Sequence, residues 1–226
     1  MDARRQILDR IREALKHSSG LDAEPPPDDG ASAAARAIIG LEDDIAAKIE
    51  RFKNELTAVS GEFVEVRDGN EAVDAIAELL LEASLRKAAV SGGRIVLRIA
   101  DKLAGRGITI VRPEEYEDEA RARAVAEIPV GIVEATFGVA DSGTVAVPFT
   151  GRSTFPCFLP EIAIVLVFAR SVLKDHFELF KRLSPDERRN LLLITGPSRT
   201  ADIEKILTLG AHGPRRLIVV LVQEAD

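Results

Sequence analysis

Two unbroken apolar runs constrain this chain more than anything else in it: IAIVLVF at 162–168 and LIVVLV at 217–222. A strand with one wet face alternates apolar and polar residues, so a run without alternation needs cover on both faces. Helices on either side of a mostly parallel sheet supply that cover. Shorter runs at 63–66, 88–90, 108–111 and 191–194 fit the same sheet. Helical spacing separates them. Leu41, Ile45, Ile49, Phe52 and Leu56 mark a helix over 42–59, and Val73, Ile76, Ala77, Leu80 and Leu85 mark the next. Residues 95–103 read as a third helix, and 172–183 as one with Leu173, Phe177, Phe180 and Leu183 inward. The alternation predicts an α/β fold, a mostly parallel sheet flanked by helices, with 162–168 near its centre.

The chain of 226 residues suits one such domain, with room for a full core. Residues 1–17 form an amphipathic helix, in which Leu8, Ile11 and Leu15 share a face. So short a helix needs a surface to dock on. Residues 18–37 read as linker, because SSG and PPPDDG cannot form a helix interior or a central strand. The α/β domain follows over 38–226.

The net charge of −7, with both signs mixed along the chain, shows no basic face for nucleic acid. Cys157 is the one cysteine. The chain alone therefore forms no internal disulfide, no cysteine zinc site and no iron–sulfur cluster. In its apolar setting, TFPCFLP, Cys157 reads as a small core residue. Three scattered histidines (His17, His176, His212) predict no metal site, and His176, among Lys174, Asp175 and Glu178, reads as a surface residue. The acidic stretch at 113–127 reads as a solvated helix face. No run is long enough to span a membrane and no signal-peptide layout is present, so the expected location is cytoplasmic.

Residues 191–222 read as strand, loop, helix, loop, strand, with Ile203, Ile206 and Leu207 on one face of a helix over 201–209. Two buried strands joined by a helix predict parallel neighbours and a right-handed crossover. Ligands in such sheets collect beyond the carboxyl ends of strands. Gly196, Ser198, Arg199 and Thr200 would lie there, with helix-start amides and a guanidinium for an anion. An ordinary capped loop fits equally, since Asp202 and Glu204 already complement the helix dipole. His212, between Gly210 and Gly213, reads as a turn residue or as a proton donor.

Residues 130–147 read as strands reversing around Asp141, Ser142, Gly143 and Thr144. A carboxylate, two hydroxyls and the amides beside a glycine suit a polar ligand, and they suit an Asx turn as well. Arg152 follows in a polar loop, available to an anion. Gly92-Gly93 lacks the Lys-Ser/Thr of a phosphate loop and reads as a plain strand-to-helix turn.

ITGPSRTADIE followed by LGAHGP, together with GVADSGT at 138–144, resembles the lactate-utilisation protein C (LutC/YkgG) family, built on the LUD domain. The likeness runs from about residue 45 onward and rests on two motifs in order. It implies the fold shared by ribose-5-phosphate isomerase, glucosamine-6-phosphate deaminase and CoA transferases (NagB/RpiA/CoA-transferase-like). It also implies a subunit that converts L-lactate to pyruvate with iron–sulfur and cysteine-rich partner proteins. No cofactor is expected on this chain alone, and the iron–sulfur clusters are expected in the partners. Arg152 and Arg199 would then meet a carboxylate, and His212 would relay a proton.

The alternative is a stand-alone enzyme or binding module for a phosphorylated, CoA-linked or folate-like molecule. Glu134 would be its carboxylate nucleophile, unless Glu134 is only a solvated strand end. Both readings require that the 138–144 and 195–200 turns meet on one rim. A homo-oligomer is compatible with either.

Overall fold

The computed structural model describes residues 8–10, 13, 44–116, 118–148, 154–201, 207–209 and 213–224. The chain divides into two units, 1–40 and 41–226. In the first, residues 8–10 and 13 are helical, while the rest of the expected 1–17 helix and the 18–37 linker lie outside the described residues. All that follows concerns the second unit.

A six-stranded sheet forms its centre. The strands are β1 (Glu62–Val66), β2 (Lys87–Ser91), β3 (Thr109–Val111), β4 (Val130–Glu134), β7 (Ile162–Phe168) and β12 (Arg216–Val222). Their spatial order is β1-β12-β7-β4-β2-β3, and every neighbouring pair is parallel. The two apolar runs that dominate the sequence, β7 and β12, lie side by side within it, as burial on both faces demands.

Helices α2 (Gly69–Glu82) and α3 (Arg94–Ala104) cover one face. Val73, Ile76, Leu80, Ile99 and Leu103 pack there on Val90, Ile132, Ile164 and Val220. Asp68 starts α2 by accepting the amides of Asn70 and Glu71. The Glu71 amide, ahead of the other causes, holds its carboxyl below the usual carboxylate range. The charged segment after β3 forms α4 (Asp118–Ala126).

The other face carries α1 (Ile45–Ala58), the short α5 (Phe155–Phe158) and a second sheet of β5 (Phe137–Val139), β6 (Thr144–Pro148), β8 (Val172–Leu173) and β9 (Leu191–Ile194). Its order is β8-β5-β6-β9. Phe52 and Leu56 of α1, Cys157 of α5 and Val145, Val147 and Ile194 of this sheet share one core with Val165, Val219 and Leu221. Burial pushes the Cys157 thiol up to about 12. The second sheet's far face is closed by α6 (His176–Arg182), through Leu179 and Leu183 on Val139, Ala146 and Leu173. A capping box of Ser184 and Glu187 then opens α7 (Pro185–Arg189).

First, contrary to expectation, the 191–194 run is not a parallel neighbour of 217–222. It is β9, an edge strand antiparallel to β6, with Leu193 37% exposed. Second, 201–209 is not a helix. Arg199–Ala201 forms β10, antiparallel to β11 (Leu207–Leu209), with 202–206 outside the described residues. Thr200 and Thr208, β-branched residues suited to strands, pair across that ladder.

Third, α6 begins at His176 rather than 172, because the extended Asp175 caps it and accepts the Glu178 amide. That start turns Leu179 inward, fully buried, and leaves Phe177 56% and Phe180 44% exposed. Among the described residues, no helix is long and apolar enough to cross a membrane.

Candidate functional site

The β5–β6 hairpin turns through Ala140, Asp141, Ser142 and Gly143. Its backbone is tied down first. The Ala140 amide donates to the Leu173 carbonyl (2.8 Å) and the Asp141 amide to that of Lys174 (3.1 Å). Gly143 has φ +64°, and a Cβ there would stand 2.3 Å from the Leu56 amide nitrogen. Only glycine fits both the left-handed backbone and the approach to α1.

A row of hydroxyls runs outward from the turn. Ser142 Oγ lies 2.8 Å from Thr144 Oγ1, and Thr144 Oγ1 lies 2.9 Å from Thr195 Oγ1. The β6–β9 register, which places Val145 opposite Ile194, brings Thr144 and Thr195 together. Thr144 is buried and Thr195 exposed, so the row leads from core to surface. The 195–198 loop is anchored by the Ser198 amide, which donates to the Pro214 carbonyl (2.8 Å).

Asp141 closes the other side of the turn. His176 Nδ1 stands 3.3 Å from Asp141 Oδ1, with side-chain exposures of 37% and 19%. That is close enough for an ion pair but out of line for a hydrogen bond, and Oδ1 is buried with no hydrogen-bond donor among the described residues.

A second cluster lies at the carboxyl ends of the central strands. After β2 the chain moves outward to β3, and after β4 it moves the other way to β7. The crevice between β2 and β4 is thus a topological switch point, the usual place for a ligand in an open α/β sheet. Glu134 ends β4 there, and a Cβ on Gly93, the N-cap of α3, would stand 2.2 Å from Glu134 Oε2. Ser91, at the end of β2, donates to Glu114 in the 113–115 turn that follows β3. Glu134 is therefore a half-buried carboxylate set against a helix start, not a solvated strand end.

The family model described as LUD domain matches residues 49–222. The chain belongs to the LUD domain family. The match covers both hairpin strands, the 195–198 loop and the switch point. Among relatives of this LUD protein is a lactate utilization protein C from Exiguobacterium, 26% identical over 189 residues, which are 78% of each chain. Another is the uncharacterized protein YkgG of Escherichia coli, 30% identical over 104 residues, 42% of this chain and 44% of that protein. With YkgG the aligned stretch thus spans less than half of the relative's length. A crystal structure of a DUF162 family protein from Deinococcus radiodurans shares the fold, with TM-score 0.60 and 17% identity, over 80% of this chain and 99% of that one.

Within the LUD fold, Asp141, Ser142, Gly143 and Thr144 form one turn, and Gly196 and Ser198 sit in the adjoining loop. Arg199 and Thr200 belong to the backbone of β10. No helix starts at 198–200, so the helix-dipole reason for an anion there lapses. Arg152 and His212 lie outside the described residues, as do the side chains of Arg199 and Thr200. Glu134 stands at the switch point, in the second cluster. Two members of the turn cluster escaped sequence reasoning. Thr195 was visible only as a turn residue, and the strand register that carries it to Thr144 is not local information. His176, four residues after Val172, was read as a surface residue; the detectable signal was Asp175, a cap that starts the helix at this residue.

Proposed function

We propose that this chain acts in lactate utilisation, as the subunit that binds the substrate-side small molecule while partner chains carry electrons. The observation that carries this reading is the LUD match over 49–222, with relatives named lactate utilization protein C. Converting L-lactate to pyruvate removes two electrons, which need an acceptor. One buried cysteine cannot supply the thiolates of an iron–sulfur cluster, so the reading assigns the acceptor to iron–sulfur and cysteine-rich partners in the cytoplasm.

The proposed ligand site is the paired turn: Ser142, Gly143, Thr144, Thr195 and Gly196, with Asp141 and His176 beside it. Hydroxyls and turn amides suit the carboxylate and hydroxyl of a 2-hydroxy acid or its 2-keto product. Arg152, Ser198, Arg199 and Thr200 are the proposed flanking residues. Reconstitution tests the reading: the partner chains plus this chain should transfer electrons from L-lactate to an artificial acceptor. Full activity of the partners without this chain would overturn it.

A second reading rests on one specific observation, the Glu134 carboxylate at the switch point. It makes the chain an acyl-transferring enzyme on a CoA-linked substrate, with Glu134 forming an acyl anhydride as the thiolate leaves. Mass spectrometry after incubation with acyl-CoAs would detect an adduct on Glu134, and its absence across a panel would remove this reading.

A further inference from the structure

We propose that Asp141 and His176 form a proton-transfer dyad, with His176 Nε2 as the general base that takes the hydroxyl proton of a 2-hydroxy acid. The choice of substrate rests on the lactate reading above; the dyad itself rests on geometry. Asp141 Oδ1 is buried with no hydrogen-bond donor among the described residues, yet faces His176 Nδ1 at 3.3 Å. A buried carboxylate oxygen left without a donor is costly, and native chains keep such groups where they serve a purpose. Drawn into line, a carboxylate that accepts the Nδ1 proton fixes the ring's tautomer and leaves Nε2 to accept the substrate proton. Such contacts tighten when substrate closes on them.

The surroundings hold both partners in place. The Asp141 amide is bonded to the Lys174 carbonyl, which ties the turn to the segment leading into α6. His176 is the first residue of α6, directly after its cap Asp175. The other charged groups around the ring are mostly committed. The Asp175 carboxylate accepts the Glu178 amide, and Glu178 accepts the Lys174 amide and the Arg182 guanidinium. His176 makes no polar contact besides Asp141 among the described residues, and its ring is 37% exposed. The proposal leaves Nε2 to a ligand held at the Ser142 side of the turn.

The step balances as follows. The substrate O–H bond breaks and its proton goes to Nε2. The C2–H bond breaks, its two electrons pass one at a time to the iron–sulfur clusters that the lactate reading assigns to partner chains, and its proton goes to solvent. The C2–O bond becomes a carbonyl, and the imidazolium later returns its proton to solvent.

The test uses the reconstituted system with wild-type chain, His176→Gln, His176→Ala and Asp141→Asn. His176 is at a partly exposed helix start, so His176→Gln is expected to fold, checked by thermal melting. The expected result is a loss of about 10²-fold or more in kcat/KM for His176→Gln and His176→Ala. The acidic limb of the pH–rate profile should vanish, and free imidazole should restore His176→Ala in part. Asp141→Asn should lower kcat with little change in KM. If the wild-type chain is required but His176→Gln keeps its rate and pH profile, the dyad is overturned and the lactate reading stands. If the partners oxidise lactate fully without this chain, both fall.

Discussion

Thr144 and Thr195, 51 positions apart, bring their hydroxyl oxygens to 2.9 Å across the β6–β9 ladder. Thr144 ends the GVADSGT motif and Thr195 stands in the second motif, ITGPSRTADIE. Two sequence motifs thus meet at one pair of side chains.

Replacing Thr144 by Val keeps the shape of a 1%-exposed side chain and removes the hydroxyl shared with Ser142 and Thr195. Urea unfolding should show a loss of about 1 kcal/mol. Thr195→Val, at an exposed position, should cost under about 0.5 kcal/mol. A double-mutant cycle should return a coupling of about 0.5 kcal/mol, as expected for groups in contact.

Gly143→Ala meets two obstacles, the positive φ and the backbone of α1. The loss should be about 2–4 kcal/mol. Gly107, with φ +83° and open space around its missing Cβ, is the control, and Gly107→Ala should lose only about 1 kcal/mol. Equal losses at the two positions would show that the packing of the turn on α1 contributes nothing.

The central sheet was legible because strands buried on both faces show as uninterrupted apolar runs, as at 162–168 and 217–222. The hairpin at 137–148 was legible because Asp-Ser-Gly interrupts β-branched residues. The run at 191–194 looked the same as a central strand but belongs to the second sheet. Pairing partners are set by register over long separations, which local composition does not carry. Ile203, Ile206 and Leu207 fit a helical face by spacing alone, and only the ladder of β10 and β11 shows otherwise. At the site, the turn residues were readable as a motif. Thr195 and His176 were not, because each gains its role from a neighbour more than thirty positions away.

The rotated α6 predicts opposite outcomes for adjacent residues. Leu179→Ala, at a fully buried position, should cost about 2–5 kcal/mol, and Phe180→Ser, at 44% exposure, under about 0.5 kcal/mol. Thermal unfolding of the two variants distinguishes this register from one with Phe180 inward.

Cys157 should resist alkylation at pH 8 in the native state and react at once in urea, because burial holds its thiol at about 12. The folded state favours the neutral thiol, so this contribution to stability is complete below the unfolded value near 9. It is lost as pH rises from there toward 12. Cys157→Ser should flatten that part of the stability profile relative to wild type.

The account's central claim is that the paired turn, not the Glu134 crevice, is where the small molecule binds. Amide NMR of the full chain titrated with L-lactate and with pyruvate tests it most directly. The predicted result is saturable shifts at Ser142, Gly143, Thr195 and Gly196. Shifts confined to Gly92, Gly93 and Glu134, or none at saturating ligand, would contradict it.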